Sequence, residues 1–256
     1  MSNADRGVSA LPDEYHARIR EVEQRHWWHV GMRRVSAALL GDRVQRDSRL
    51  LDAGCGTGGF LRWALAQWPI AHASGVDISD AAIELARDQV PTVELGVAPL
   101  HALPFEAASF DLVVCNDVFQ HVPESQVAAS VAELRRVLAP GGPLLVRTNG
   151  ARRALADRPD WRVYDAETLR AVLEQGGLRC ERLTHANVVG SLWAELRGQK
   201  LQSPKGESHG IPATPGPVQQ LVGGRLLAAE AAYLRNPGHS LPYGHTLFAV
   251  APPANQ

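Results

Sequence analysis

The sequence predicts an α/β fold built on a doubly wound parallel sheet with helices on both faces. Short apolar runs of strand length alternate with amphipathic stretches of helix length between residues 49 and 186. The first apolar run ends in a glycine-rich turn, LLDAGCGTGGF (50–60), which leads directly into a helical stretch. The chain has 256 residues, of which 45% are hydrophobic, and this is enough for one large α/β domain or two small ones without disulfide or metal support.

The N-terminal region is expected to be helical. The first seven residues (MSNADRG) are polar and there is no apolar signal core, so residues 1–11 predict a disordered leader. Residues 12–40 predict one or two helices, with Pro12 and Asp13 suited to a helix start and Gly31 as the candidate break. We therefore divide the chain into the leader, a helical region (12–45) and an α/β domain (46–252).

Strands and helices alternate after this region. The predicted strands are 49–54, 72–77, 92–97, 110–116, 143–148 and 178–186, and the predicted helices between them are 58–68, 80–90, 124–138 and 165–177. Ser79 and Asp165 are residue types that cap helix N-termini. A loop rich in Pro, Gly and Ser (201–217), a helix (218–235) containing Gly223-Gly224 and a last strand (245–250) complete the prediction.

The net charge and the cysteine content limit the classes of partner and the cell compartment that the sequence favours. With 26 basic and 27 acidic residues the net charge is −1, which favours neither nucleic acid nor an anionic membrane as a partner. The three cysteines are far apart and form no metal-binding spacing, which favours a reducing compartment. We expect a cytoplasmic monomer or homodimer without a metal ion.

The glycine-rich turn is the first candidate site. Gly54, Gly56 and Gly59 form a G-x-G-x-x-G pattern that lets the backbone approach a ligand at a helix N-terminus. Asp77 follows eighteen residues after Gly59 at the end of the second strand, where a carboxylate can accept hydrogen bonds from ribose hydroxyls. This layout suits a dinucleotide or S-adenosylmethionine (SAM). Asp52 favours SAM, because a carboxylate opposes a pyrophosphate and attracts an ammonium and a sulfonium.

Four motifs together resemble class I SAM-dependent methyltransferases. They are LDAGCGTGGF, GVDIS, LPFEAASFDLVVCNDVFQHV and LRRVLAPGGPLLV, and the resemblance is strong over residues 48–150. It is looser over 165–186 and at LPYGHTLFAVA. The resemblance implies a Rossmann-like, seven-stranded sheet whose last strand is antiparallel, with the cofactor at the carboxyl ends of the strands. An insertion at about 187–240 would contribute to the acceptor pocket.

The resemblance also implies roles for individual residues. Gly54, Gly56 and Gly58 would line the methionine part of SAM, Asp77 would hold the ribose, Ile78 would lie against the adenine, and the Asn116 main chain would face the amino acid moiety. The sequence departs from the family at Ala98-Pro99-Leu100, where relatives often carry Gly-Asp-Ala. Pro99 offers no side-chain acceptor for the adenine amino group, and losing that hydrogen bond costs about 0.5–1.5 kcal/mol. The Leu100 N–H remains available to the adenine ring.

The stretch HWWHVGMRR (26–34) combines adjacent indoles with basic residues. It resembles the N-terminal helix that covers the cofactor site as a lid in many small-molecule members of this family. We expect Trp27 and Trp28 to wall the cofactor or acceptor pocket, and Arg33 or Arg34 to pair with the SAM carboxylate. The alternative is that the rings pack on the sheet and the arginines are solvated.

Methyl transfer from a sulfonium is an in-line displacement that depends mainly on alignment. A base is required only when the acceptor must lose a proton. His121, just past the fourth strand, is the first candidate, followed by His26 and His29; Tyr164 is a candidate acceptor contact, and a structural role is open for each. The favoured function is SAM-dependent methylation of O, N or C in a small organic acceptor, such as a natural product or sugar. The alternatives are a nicotinamide-dependent oxidoreductase, a SAM-binding protein that does not methylate, and an enzyme that uses SAM to shape a pocket for a reaction such as a cyclisation.

Overall fold

The computed structural model describes residues 13–70, 72–150, 162–196 and 215–254, and its centre is one seven-stranded sheet. The strands are β1 (Arg49–Ala53), β2 (His72–Asp77), β3 (Glu94–Val97), β4 (Leu112–Asn116), β5 (Leu144–Asn149), β6 (Arg182–Ala186) and β7 (Thr246–Ala251). Their order is β3-β2-β1-β4-β5-β7-β6, and β7 runs antiparallel to both of its neighbours. The predicted fold class is confirmed. The predicted leader and residues 201–214 of the predicted loop lie outside the described residues.

Helices cover both faces of the sheet. They are α1 (Asp13–Val22), α2 (Trp27–Leu40), α3 (Gly59–Gln67), α4 (Asp80–Gln89), α5 (Glu124–Val137), α6 (Ala166–Gln175), α7 (Val188–Leu196) and α8 (Pro217–Tyr233). One face packs against α5 and α6, and the opposite face packs against α2, α3, α4 and α8. None of these described helices is both long and apolar enough to cross a bilayer.

Strand alternation decides which side chains meet α2. Leu50, Leu112 and Leu145 belong to the core on the α2 side, and side chains two residues further along a strand share that face. By this alternation Asp52 on β1, Asn116 on β4 and Arg147 on β5 project toward α2. Because β1, β4 and β5 are parallel, these three polar groups gather at one carboxyl edge of the sheet.

The first helical region breaks earlier than the sequence indicates. The predicted break at Gly31 is wrong, since Gly31 lies within α2 and the chain turns at residues 23–26. Gly31 instead allows a close helix contact, because a Cβ there would overlap the side chain of Leu227 on α8. Gly223 of α8 serves the same interface, where an added Cβ would lie 2.6 Å from the indole of Trp27. The glycines thus bring α2 and α8 together.

The C-terminal part of the fold contains one element that the sequence analysis did not predict and one strand that is shorter than predicted. Helix α7 begins immediately after β6, within residues that the sequence analysis treated as an insertion. Its N-terminus is capped from a distance, because the Glu230 carboxylate accepts hydrogen bonds from the backbone N–H groups of Asn187 (2.6 Å) and Val188 (2.8 Å). Strand β6 begins at Arg182 rather than at residue 178, since Leu178 pairs only with Pro253 in an isolated bridge.

Candidate functional site

The glycine-rich turn joins β1 to α3 and contains three glycines in the left-handed region. Gly54, Gly56 and Gly58 have φ values of 88°, 52° and 82°. A Cβ at Gly54 would overlap Val118, and one at Gly58 would lie 3.2 Å from the side chains of Ala86 and Val90. A Cβ at Gly56 would meet nothing within 4 Å. Gly54 and Gly58 therefore serve packing as well as backbone geometry, whereas Gly56 faces open space where a ligand can approach.

Asp77 lies beside this open glycine. Its Oδ2 accepts a hydrogen bond from the Gly56 N–H at 2.9 Å, and its Oδ1 accepts one from the Ser79 N–H at 3.0 Å. Each carboxylate oxygen keeps acceptor capacity for a further donor, such as a ribose hydroxyl. The Ala98 N–H donates to the Asp77 carbonyl at 3.0 Å, which brings the segment containing Pro99 and Leu100 next to Asp77 and the half-buried Ile78. The proposed ribose and adenine contacts are therefore neighbours, and their roles stay predictions.

Asp52 is a deeply buried acid at the carboxyl edge of the sheet. It is 1% exposed, and its Oδ1 has no hydrogen-bond partner among the described residues. Burial raises the pKa of Asp52 to about 7, although the nearby Arg147 opposes this shift. On the adjoining strand both amide atoms of Asn116 are buried and likewise unpaired within the described part of the chain. Such unpaired polar atoms are costly. An ammonium can donate to the two oxygens, and a ligand carboxylate or carbonyl can accept from Asn116 Nδ2.

Arg147 is a site residue that the sequence analysis missed. Its Nε and Nη2 donate to Asp117 Oδ2 at 3.0 and 2.6 Å, and its Cζ lies 5.2 Å from the ring centroid of Trp28. The residue is 7% exposed. The available signal was a lone arginine inside the apolar strand LLVRTN, since a buried arginine requires a partner.

The paired tryptophans point in different directions. The Trp28 ring lies over Arg147, whereas the Trp27 ring packs on Gly223 of α8. The backbone N–H of Trp27 donates to Gln220 Oε1 at 3.0 Å. Two neighbouring histidines accompany them in neutral form. His26 caps α2 by accepting the Trp28 N–H at its Nδ1 (3.2 Å), and burial lowers its pKa. Burial and then Arg147 lower the pKa of His29 to about 3.

The two candidate arginines also differ. Arg34 is exposed, but Arg33 is 4% exposed and its Nη1 donates to Gln24 Oε1 at 2.9 Å. Burial lowers the pKa of Arg33 to about 10, which leaves it charged at neutral pH. Its Nη2 lies 3.6 Å from Oε2 of Glu23, a second site residue that the sequence analysis did not find.

Glu23 fixes the α1–α2 turn against the glycine-rich turn. Its Oε1 accepts hydrogen bonds from Thr57 Oγ1 at 2.6 Å and Gln89 Nε2 at 2.8 Å. Its carboxylate lies over Gly59 at the N-terminus of α3, where an added Cβ would overlap it. Negative charge is favourable there because of the free backbone N–H groups and the helix dipole.

The catalytic candidates occupy different environments. His121 ends a short 3₁₀ turn (Phe119–His121) after β4 and is half-buried at the carboxyl edge of the sheet. Tyr164 is fully buried, and its hydroxyl donates to the Phe119 carbonyl at 3.4 Å. Burial also raises the pKa of Tyr164. These facts favour a structural role for Tyr164 beneath the turn that carries His121.

Two further features of the described residues bear on where a ligand can bind. Within the described ranges no group of three or more His, Cys, Asp or Glu side chains is arranged to hold a metal ion. An open groove of about 500 Å³ lies between α2 and α8, lined by residues that include Arg34, Gln220 and Arg225. No residue of the glycine-rich turn lines this groove, so we do not assign it to the cofactor.

Comparisons with known proteins point to one family. Residues 50–142 match a family model described as a methyltransferase domain. The chain is 38% identical over 192 residues to a 37.1 kDa protein in transposon TN4556 of Streptomyces fradiae, covering 73% of this chain and 52% of that protein. It is 33% identical over 161 residues to trans-aconitate 2-methyltransferase of Azoarcus sp. (strain BH72), covering 62% and 57%. The chain thus spans about half the length of the curated relatives it matches.

A comparison with solved structures finds the same fold in a methyltransferase. A chain in the complex between the Haloferax volcanii Trm112 methyltransferase activator and a methyltransferase superposes with a TM-score of 0.64. The match covers 95% of this chain and 96% of that chain at 20% identity. At this identity the likeness concerns the fold alone.

Proposed function

The chain belongs to the class I SAM-dependent methyltransferase family, whose members use SAM as methyl donor, and on this premise we propose that it methylates a small organic acceptor. The acceptor atom is oxygen, nitrogen or carbon. A relative named trans-aconitate 2-methyltransferase supports a small-molecule acceptor. We further propose that α1 and α2 form the lid of the site.

The observation that carries this proposal is the buried Asp52 carboxylate. Its Oδ1 lacks a partner among the described residues, and Asp77 lies across the same edge beside the open space at Gly56. A ligand that spans the two acids must present hydroxyls at one end and positive charge at the other. SAM has a ribose and, beyond it, a sulfonium and an ammonium, and therefore suits both acids.

The position of Glu23 argues against the dinucleotide alternative. A dinucleotide places its pyrophosphate at the helix N-terminus that follows the glycine-rich turn. Here the Glu23 carboxylate already lies over Gly59 at the start of α3, held by Thr57 and Gln89. A pyrophosphate would meet a buried negative charge at that point.

The order of the strands indicates where the acceptor binds. The ribose acid Asp77 is on β2, Asp52 is on the neighbouring β1, and β4 and β5 follow on the other side. The reactive methyl group is therefore expected toward β4 and β5, next to His121 and under Trp28. We propose that these two side chains, with Arg147, form the acceptor side of the pocket.

The residues of the chain would contribute alignment more than covalent chemistry. SAM supplies the electrophilic methyl group. Asp52 in its ionised form stabilises the positive charge, Trp28 excludes water from the reacting atoms, and Arg33 pairs with the carboxylate of the amino acid moiety. Where the acceptor carries a proton, His121 accepts it at a ring nitrogen.

Calorimetry tests the cofactor first. SAM and its demethylated product S-adenosylhomocysteine (SAH) should bind the purified chain, and NADH should not. The Trp28→Ala variant should bind SAH more weakly, and its melting curve measures how much stability is lost with the packing of Trp28 on the core. Release of SAH from SAM, measured with a panel of small organic acids, phenols and amines, then tests turnover. Tight NADH binding without SAH binding would overturn the proposal, and SAH binding without turnover on any acceptor would favour a non-methylating role.

A further inference from the structure

We propose that Glu23 is a positioning residue that latches the lid to the glycine-rich turn through Thr57 and Gln89. This inference rests on the proposed cofactor site and adds a residue outside its ligand-contacting set. The latch couples the position of α1 and α2 to the conformation of the backbone that faces the cofactor.

The contacts of Glu23 join three separate segments. The residue lies in the turn between α1 and α2 and is 6% exposed. Its Oε1 accepts from Thr57 Oγ1 in the glycine-rich turn (2.6 Å) and from Gln89 Nε2 at the end of α4 (2.8 Å). Its Oε2 lies 3.6 Å from Nη2 of Arg33 on α2. A carboxylate this deeply buried is stable only with such a set of donors.

Two neighbours reinforce the same junction. Gln89 Nε2 also donates to the Thr57 carbonyl at 2.9 Å, so the side chain that holds Glu23 also holds the turn. Gln24, next to Glu23, donates through its Nε2 to the Gly59 carbonyl at 3.3 Å and accepts from Arg33 Nη1 at 2.9 Å. The α1–α2 turn is therefore fastened to the glycine-rich turn by consecutive side chains.

The contact with Glu23 explains why the last position of the G-x-G-x-x-G pattern is a glycine. Gly59 has no positive φ, so its lack of a side chain is not a backbone requirement. Any Cβ at this position would overlap the Glu23 carboxylate. Gly59 thus makes room for the lid.

The position of Thr57 gives the latch its functional consequence. Thr57 follows Gly56, which faces the open space beside Asp77, and is itself 2% exposed. A ligand that seats against Gly56 holds the turn in place, and the turn in turn holds Glu23 and the lid. Removing the Thr57 hydroxyl should free the lid and speed ligand release without removing a ligand contact.

The test compares Thr57→Val with Thr57→Ser, because valine keeps the shape and loses the hydroxyl while serine keeps the hydroxyl. Two readouts are measured: the SAH dissociation rate by stopped-flow fluorescence, and the rate of tryptic cleavage after Arg25, an exposed residue of the α1–α2 turn, in ligand-free protein. A hydrogen bond to a buried charge implies about tenfold faster SAH release and faster cleavage in Thr57→Val. Thr57→Ser should match the wild type in both.

A double-mutant cycle isolates the pair. Glu23→Gln should resemble Thr57→Val, and the double variant should add little to either. Glu21→Gln is the matched control, since Glu21 lies on the exposed side of α1. Wild-type cleavage rates in Thr57→Val and Glu23→Gln would overturn the latch. If the wild type itself fails to bind SAH, the proposed function fails, and the cleavage rates still decide whether the latch exists.

Discussion

The N–H of Gly56 donates to Asp77 Oδ2 at 2.9 Å, and the direction in which Gly56 would carry a side chain is open for at least 4 Å. The carboxylate proposed to hold the ribose therefore also holds the one glycine of the turn (54, 56, 58 and 59) that faces free space. Asp77 and Gly56 thus act as a unit, in which the acid fixes the backbone along which a ligand lies.

Gly56→Ala should weaken cofactor binding through steric overlap with the ligand. Gly141 is a matched control, because Gly56 (φ 52°) and Gly141 (φ 78°) are both left-handed and neither would place a Cβ within 4 Å of another group. Each alanine variant should lose about 1–3 kcal/mol of unfolding free energy from backbone strain. Only Gly56→Ala should weaken SAH binding, by tenfold or more in calorimetry. Equal SAH affinity in the two variants would contradict a ligand over Gly56.

Asp52 should make cofactor binding depend on pH. Burial raises its pKa to about 7, so the carboxyl is protonated below that pH, whereas a bound ammonium favours the ionised form. The affinity for SAH should then fall by up to about tenfold per pH unit as the pH decreases below 7. Asp52→Asn should bind more weakly at pH 8 and lose this dependence, and calorimetry between pH 5.5 and 8 measures both.

Asp52 should also make the free energy of unfolding depend on pH. This dependence runs opposite to that of SAH affinity, because a higher pH lowers the stability and raises the affinity. The unfolded chain ionises Asp52 near 3.8 and the folded chain near 7, so the unfolded state holds fewer protons between these values. The Asp52 contribution therefore becomes less favourable as the pH rises through this window and is constant above it. Wild-type stability relative to Asp52→Asn should fall between pH 4 and pH 7 in urea titrations. A constant difference would show that Asp52 ionises normally in the fold.

What the sequence predicts well is what local pattern controls. The alternation of apolar runs predicts the strands, and the glycine-rich turn and Asp77 follow from their positions at strand ends. The roles of Glu23 and Arg147 come from contacts with residues 34 and 30 positions away. Local pattern therefore gives no sign of Glu23, and it marks Arg147 only as a charge inside an apolar strand without showing its partner. The misplaced break at Gly31 has the same origin, since only the packing of Leu227 shows why a glycine stands inside a helix.

Two buried arginine side chains, Arg33 and Arg147, are candidates to pair with the carboxylate of the amino acid moiety of SAM, and we favour Arg33. Arg33 is on the proposed lid and Arg147 is on β5. Arg33→Gln should weaken SAH binding about tenfold and leave the affinity for 5′-methylthioadenosine, which lacks the amino acid part, nearly unchanged. The second ligand controls for damage to the lid, which would weaken both. An SAH-specific loss in Arg147→Gln instead would move the carboxylate to the β5 side.

The adjacent glycines of α8 should respond oppositely to alanine. A Cβ at Gly223 would lie 2.6 Å from Cδ2 and Cε3 of the Trp27 ring, so the indole must shift, whereas at Gly224 the nearest atom is Trp27 Cβ at 4.0 Å. Gly223→Ala should therefore lose roughly 1–3 kcal/mol of unfolding free energy from overpacking. Gly224→Ala should gain up to about 1 kcal/mol, because alanine favours a helix interior over glycine.

Guanidinium titrations of the two variants measure this difference in unfolding free energy. The SAH affinities of the same variants show whether the contact between Trp27 and α8 also affects cofactor binding. Trp27 adjoins Trp28, so moving its ring should tilt the start of α2 and weaken SAH binding in Gly223→Ala alone. If both variants are stabilised equally, Trp27 does not pack on α8 in solution. If Gly223→Ala is destabilised but binds SAH normally, the contact between Trp27 and α8 supports the fold without controlling the lid.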